Sequence, residues 1–331
     1  MLNHLSYKAK PIHQMSSLAR ALRLSELSLL SLAHKANTMY RIAKEVEKGD
    51  GTVRRTFDAH RPLKDIHRRI KLEILDKVVF PDYLTGSIKG RDYKVNAALH
   101  AGAKIVISED IGAFFPSTTD AIVFDIWHGF FGFSHDVATC LTRLTTYNGE
   151  LPQGAITSPQ LANLVFWRSE PVMYQRMADM GLKYSRFVDD IAVSSRLVIA
   201  PEAKTVIISL IYGMMFRQGY RPKRSKHDIS TSKDRMTVTK LTVNHKPGLA
   251  SSQRSQIRAA VHALECNLAV KQTADVAAKL PSVIGKVIML RRFHPGEGLR
   301  LKQRLAAIQA SQSPQRECKA ELQFGPLAGS L

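Results

Sequence analysis

With 331 residues, the chain is long enough to bury a sizeable core and to divide into two or three subdomains. Its 48 lysines and arginines against 28 aspartates and glutamates leave a formal charge of +20, a balance suited to nucleic acid or another anionic surface. No stretch approaches eighteen apolar residues and residues 1–14 hold no apolar leader core, so neither a membrane span nor secretion is expected.

In chain order, Leu18, Leu22, Leu24, Leu27, Leu30 and Leu32, then Met39, Ile42 and Val46, recur at broadly helical spacing and predict two helices within residues 1–50. Gly49-Asp50-Gly51 breaks the chain, and residues 52–57 fit a short strand. Arg61-Pro62 opens a basic helix running to about Val79; its Lys64, Arg68 and Arg69 form either a phosphate-binding face or a solvated one. Pro81 and Gly86 mark a loop. The next helix carries Asn96 and His100, four residues apart, which taken alone read as a polar helix face. Residues 104–111 form an apolar strand ending in Glu109 and Asp110. Beyond Pro116 a helix is expected, capped by Ser117 or Thr118, with Ile122, Val123, Ile126, Trp127 and Phe130 apolar within residues 121–147. Leu151-Pro152-Gln153-Gly154 is non-helical. Gly154 permits a close backbone approach, and Ser158-Pro159 supplies a cap and a first-turn proline for the following helix.

Residues 182–195 read as two short strands, with Asp189-Asp190 at a tight turn between them. A helix from about Pro201 to Gln218 ends at Gly219, and residues 221–227 form a basic strand or loop containing Lys226. Residues 238–244 alternate as a hairpin. From Ser251 the spacing is helical, through Ile257, Val261, Leu264, Leu268 and Val270, then Val283, Ile284, Val287 and Leu290. Arg291, Arg292, Arg300, Lys302 and Arg304 follow. From Arg221 onward there are 20 basic and 7 acidic residues, so the last third is the expected surface for a phosphate backbone. The polar tail from Ser311, with Gly325 and Gly329, is expected to fray. Cys140, Cys266 and Cys318 show no pairing or metal spacing and read as reduced thiols of a cytoplasmic protein.

An Asp-Asp pair by itself fits a surface turn, because aspartate tolerates turn geometry. Here a second acid-tipped strand, ending at Asp110, accompanies it. Two carboxylates about 4 Å apart at an effective dielectric of about 20 repel by roughly 4 kcal/mol, so such a cluster needs cations or shared protons. Carboxylate oxygens and substrate phosphates are the ligands Mg²⁺ prefers, and a pair of such ions serves phosphoryl transfer. The chemistry indicated is nucleotidyl transfer.

Five ordered blocks then carry a family resemblance. They are Asp110-Ile111-Gly112-Ala113-Phe114-Phe115-Pro116-Ser117, residues 151–159, Phe187-Val188-Asp189-Asp190, Lys226 within Arg224-Ser225-Lys226, and Leu241-Thr242-Val243-Asn244. Together they resemble the palm motifs of a reverse transcriptase, and Asn96-Ala97-Ala98-Leu99-His100 resembles a segment that marks the bacterial retron type. Two departures stand out: Phe187-Val188 replaces the usual Tyr-Ala, and Lys240 stands where retron enzymes carry glycine after Val-Thr.

The resemblance implies an α+β fold in the right-hand polymerase arrangement. Residues 1–100 would form N-terminal helices and fingers, residues 101–245 a palm with an antiparallel sheet, and residues 246–331 a basic helical thumb. It implies Asp110, Asp189, Asp190 and Lys226 as catalytic residues, and Asp110, Ile111, Asp189 and Asp190 as ligands of two Mg²⁺ or Mn²⁺ ions. Phe115, Gln153, Gly154, Lys64 and Arg68 would meet the nucleotide, and Phe115 would exclude a 2′-hydroxyl. Asn96, His100, Lys240, Arg291 and Arg292 would contact RNA. The implied partners are deoxynucleoside triphosphates, a dedicated structured noncoding RNA with its branched RNA–DNA product, and an effector protein of antiphage defence. A group II intron enzyme is disfavoured by the short stretch after the thumb, and an idle RNA-binding scaffold by retention of the acids, Gln153 and Lys226 together.

Overall fold

In the computed structural model, which describes residues 4–312 other than Lys48 and Asp50, helices and strands mix in an α+β chain with two compact units that divide after Pro247. The first unit opens with β1 (Ser6–Tyr7), α1 (Met15–Ala21) and α2 (Glu26–Lys35). Next, β2 (Tyr40–Glu47) and β3 (Val53–Ala59) pair antiparallel. Met39, Ile42 and Val46 therefore do not belong to a helix as expected. Residues four apart share a face on a strand as they do on a helix, and cross-strand pairs such as Arg55 with Glu45, at 2.6 Å, favour the strand.

The basic helix α3 (Arg61–Glu73) buries Leu63, Ile66, His67 and Ile70, and stops six residues before the expected Val79. Val78 and Val79, both β-branched, leave it to form β4 (Val78–Val79) against β1. Helix α4 (Tyr93–Leu99) starts at Asp92, whose carboxylate accepts from the backbone N–H of Lys94 and of Val95. After β5 (Ile105–Gly112) come α5 (Phe114–Ser117) and α6 (Asp120–Asp125), the latter capped by Thr119 and not by Ser117 or Thr118. A π-helical turn at Ile126–Phe130, a bend at Phe131 and a left-handed Gly132, φ +68°, separate α6 from α7 (His135–Thr145), so residues 121–147 are not one helix. Helix α8 (Ser158–Leu164) has Pro159 in its first turn, but the Ser158 hydroxyl donates to the Pro152 carbonyl at 2.7 Å in place of capping the helix.

Helix α9 (Glu170–Asp179) leads into β6 (Lys183–Phe187) and β7 (Asp190–Ser195). Helix α10 (Pro201–Arg217), β8 (Arg221–Pro222), β9 (Asp228–Thr231), β10 (Thr237–Val238) and β11 (Leu241–Thr242) complete the unit. The main sheet is antiparallel, in the order β6, β7, β5. Along its other edge β5 pairs first with β9 and then, near its end, with β8. Strand β5 is buried on both faces over Ile105, Val106 and Ile107, which makes it the rigid middle of the sheet.

Among the described residues the second unit holds three helices, α11 (Ser251–Ala269), α12 (Thr273–Phe293) and α13 (Pro295–Gln312). Ile257, Val261, Leu264, Val283, Val287, Leu290, Leu301, Leu305 and Ile308 are among its buried apolar residues. Val270 ends the first helix outside that core, 64% exposed. Cys140 is buried and Cys266 exposed, both free thiols, while Cys318, Gly325 and Gly329 lie outside the described residues. Among the described residues no helix is long and apolar enough to cross a membrane.

Candidate active site

The sheet brings together acids that lie 79 and 80 residues apart in the chain. Asp110 on β5 pairs in register with Asp190 on β7, and Asp189 occupies the two-residue turn between β6 and β7. The Ile111 N–H donates to the Asp189 carbonyl at 3.0 Å, tying that turn to the central strand. Like charges directly opposite one another destabilise a sheet. The cluster answers this with raised carboxyl pKa values and a cation. The Asp189 carboxyl is pushed up by burial and then by the charge of Asp110. Asp190 is also pushed up, by burial of its carboxyl, by its hydrogen bond to Asp110 and by the charge of Asp189. Since Asp190 keeps an exposed face, its two acidic neighbours are the stronger cause.

The cation is Lys226. Its ammonium group bonds the Asp110 carboxylate, which is 4% exposed. Partial burial opposes the charge on Lys226, but the hydrogen bond and charge of Asp110, with Asp190 and Asp189 behind it, raise its pKa. Alternation along β5 sends Glu109 the other way. There it accepts from Tyr212 at 3.2 Å and contacts His227 Nδ1 at 2.6 Å, so the adjacent pair Lys226 and His227 serves the adjacent pair Asp110 and Glu109. By residue type alone the sequence did not separate Glu109 from Asp110; the motif that begins at Asp110 did, and the period of two gives the physical reason.

Among the described residues no three acidic, histidine or cysteine side chains enclose an ion by themselves. The donor set is instead that of a site completed by substrate: hard carboxylate oxygens crowded together at one end of the central strands of a rigid sheet. These residues fit divalent ions that arrive with a nucleotide's phosphates.

Gln153 accepts from Arg54 Nε at 3.1 Å through its side chain, and from the Phe57 N–H at 2.8 Å through its carbonyl. Gly154, at φ +109°, lies so close to β3 that a Cβ would sit 2.7 Å from the Phe57 carbonyl oxygen. Only glycine permits that approach. Arg54, whose charge is felt at Asp189, is a residue the sequence did not single out, because nothing there showed that β3 folds back onto residues 153–154. Phe114 is buried against Tyr220 at 5.4 Å, which leaves Phe115 half-buried at the mouth of the turn after β5.

Lys64 and Arg68 are held in place by Asp58 and Asp65, at 2.7 and 2.6 Å. With Arg41, His60 and Arg61 they line a surface cavity of about 390 Å³. Lys240 is exposed at the tip of the β10–β11 hairpin, and Arg291 and Arg292 are exposed near the end of α12.

Asn96 and His100 are placed otherwise than expected. Both are 1% exposed, so neither side chain is presented to RNA. Asn96 Oδ1 accepts from Thr85 Oγ1 at 2.8 Å. The His100 ring is bridged between Ser194 and Ser185, at 2.8 and 2.7 Å, which fastens α4 to the strands that carry the acids. Burial lowers the His100 pKa to about 4, so the ring is neutral, donating through one nitrogen and accepting through the other.

No family model matches the chain. Curated relatives do. Retron Se72 reverse transcriptase of Salmonella heidelberg is 36% identical over 265 residues, covering 79% of this chain and 70% of that protein. Retron Ec86 reverse transcriptase of Escherichia coli is 30% identical over 258 residues, 77% of this chain and 78% of the relative. Retron Ec48 reverse transcriptase of Escherichia coli is 29% identical over 314 residues, 90% and 76% respectively. At this identity and coverage the acid-tipped sheet belongs to a known lineage: the chain is a member of the retron reverse transcriptases, RNA-directed DNA polymerases.

Proposed function

We propose that the protein copies a dedicated structured noncoding RNA into DNA, using deoxynucleoside triphosphates and priming from an RNA 2′-hydroxyl to give a branched RNA–DNA product. The observation that carries this reading is the meeting of Asp110, Asp189, Asp190 and Lys226 at one end of the central strands in a chain of this family. Residues 1–100, 101–245 and 246–331 act as fingers, palm and thumb. The protein works in the cytoplasm with an effector partner in antiphage defence.

Asp110, Asp189 and Ile111 would hold two divalent ions, Mg²⁺ or Mn²⁺, with Asp190 supporting them. When bound, the ions supply activation of the primer hydroxyl and neutralise charge on the triphosphate. Every other part falls to the chain itself. Lys226, its proton held firmly beside Asp110, stabilises or protonates the departing pyrophosphate. Phe115 blocks a 2′-hydroxyl on the incoming nucleotide, and Gln153, with Gly154 behind it, contacts the nucleotide or its template base. Arg54, Lys64 and Arg68 meet phosphates from the fingers side. Lys240, Arg291 and Arg292 grip the RNA.

The test is to express the chain with its native flanking noncoding DNA, purify it, and digest the copurifying nucleic acid with DNase and with RNase. A discrete species sensitive to both, absent from Asp189→Asn, is expected. RNA alone from both proteins would reduce the function to that of an RNA-binding scaffold.

A further inference from the structure

Arg186 lies three residues before Asp189 on β6 and is completely buried. Its guanidinium makes five hydrogen bonds. Two run to the carboxylate of Glu170 at 2.7 Å each, two to the carbonyls of Ala162 and Asn163 on α8 at 3.3 and 3.0 Å, and one to the carbonyl of Val188 at 3.0 Å. Glu170, 2% exposed at the start of α9, also accepts from Tyr184 at 2.6 Å, so its charge is fully matched.

Val188 is the unusual member of this set. It occupies the first position of the two-residue turn with φ +61°, the left-handed region that β-branched residues rarely enter and that such turns usually give to glycine. Two contacts hold it there. The first is the bond from Arg186. The second is Gly86, where a Cβ would lie 2.6 Å from both the Cγ2 and the nitrogen of Val188, so the loop behind the turn closes on it only because glycine stands there. Backbone strain of this kind persists where surrounding structure over-determines it, and it clusters at active sites.

A buried ion pair is weak evidence for stability, since apolar residues of like volume often serve as well. What an apolar residue cannot do is reach the carbonyls of both α8 and Val188 while matching Glu170. A lysine, lacking the planar fork, cannot either. We propose that the Arg186–Glu170 pair is a positioning clamp that holds Val188 left-handed and so aims Asp189 at the end of the central strands. Arg186 acts through Asp189 and touches no substrate. The inference rests on reading Asp189 as a metal-binding carboxylate.

The test uses the full chain with its RNA. In Arg186→Lys, amide hydrogen exchange over residues 185–192 should quicken by tenfold or more, while exchange in α7 and in the three-helix unit stays as in the parent protein. The Mg²⁺ concentration for half-maximal synthesis should rise several-fold, with the KM for deoxynucleotides little changed. Adding Val188→Gly, which adopts the left-handed turn without strain, should bring the Mg²⁺ requirement back toward the parent value. Unchanged exchange at residues 185–192, or a uniform rise across the chain with no rescue by Val188→Gly, would overturn the clamp. Should Arg186→Lys fail to fold, Glu170→Gln keeps the shape, removes the charge, and is read in the same way. The exchange measurement needs no catalysis, so the clamp and the metal role of Asp189, tested by Asp189→Asn, fail separately.

Discussion

Asp110 and Asp190 face each other across two hydrogen-bonded strands, an arrangement that a purely structural sheet would avoid. This is why the acids were legible in the sequence: carboxylates at the tips of apolar strands have no packing explanation. Arg186 was not legible in the same way. An arginine in a strand reads as solvent-facing until Glu170 and the carbonyls of α8, contributed from 16 to 24 residues away, are folded around it. Phe115 falls between these cases. The sequence placed a bulky ring five residues after Asp110, and the fold sends Phe114 into the core while leaving Phe115 half-buried. Phe115→Ala should therefore relax discrimination against ribonucleotides by about tenfold or more, equivalent to about 1.4 kcal/mol of barrier. Competitive incorporation of matched deoxy- and ribonucleotides measures it, and an unchanged ratio would return Phe115 to the core.

Hairpins were the elements least secure in the sequence, because a hairpin is fixed by its partner strand and by turn conformation as much as by its own pattern. The β2–β3 pair was half mistaken for a helix for this reason. The β10–β11 pair was found, but not the strain in it. Thr239 and Lys240, at φ +47° and +66°, form a turn in which both central residues are left-handed, the geometry that favours glycine in the second place. Lys240 thus departs from the family pattern at a real conformational cost. Lys240→Gly should stabilise the protein by about 0.5–1 kcal/mol, the left-handed penalty of roughly 1–2 kcal/mol less the chain entropy glycine brings. Chemical denaturation checks this. Helix α4 supplies a different prediction through His100, and α3 through His67, both lowered to about 4 by burial. Between the ordinary value near 6.5 and about 4, the unfolded chain takes up protons that the folded rings refuse. Stability therefore falls as the pH drops through this window and is flat above it, by on the order of 2 kcal/mol per ring at pH 5. The raised carboxyls of Asp189 and Asp190 act in the opposite sense, so the comparison belongs in an Asp189→Asn, Asp190→Asn background. Equal stability at pH 7.5 and 5 there would mean that the rings are charged when folded.

At the scale of the whole molecule, the helical spacing that begins at Ser251 falls within the second of two compact units, which divide after Pro247. The stripes of α11 and α12 are visible in sequence because each buries one face, whereas the stripe of α13, Leu301, Leu305 and Ile308, is masked there by the basic residues between them. What composition could not show is how much of the basic surface is already spent. In the three-helix unit, Arg254 and Arg258 pair with Glu297, and Arg304 with Glu265, at 2.5–2.7 Å. Arg291 and Lys302 are exposed and have no acidic partner among the described residues. Binding of RNA through roughly six to ten phosphates loses affinity by about 10³-fold or more between about 50 and 200 mM salt. A residue that neutralises a phosphate contributes to that slope, whereas one already neutralised within the fold does not. Arg291→Ala and Lys302→Ala should each lower the slope of log affinity against log salt by about 1, and Arg254→Ala should leave it nearly unchanged. Filter binding or anisotropy with the cognate RNA across a salt series decides between them. Equal slopes for all three variants would move the phosphate-binding surface off these helices and onto the first unit, where the remaining positive charge lies.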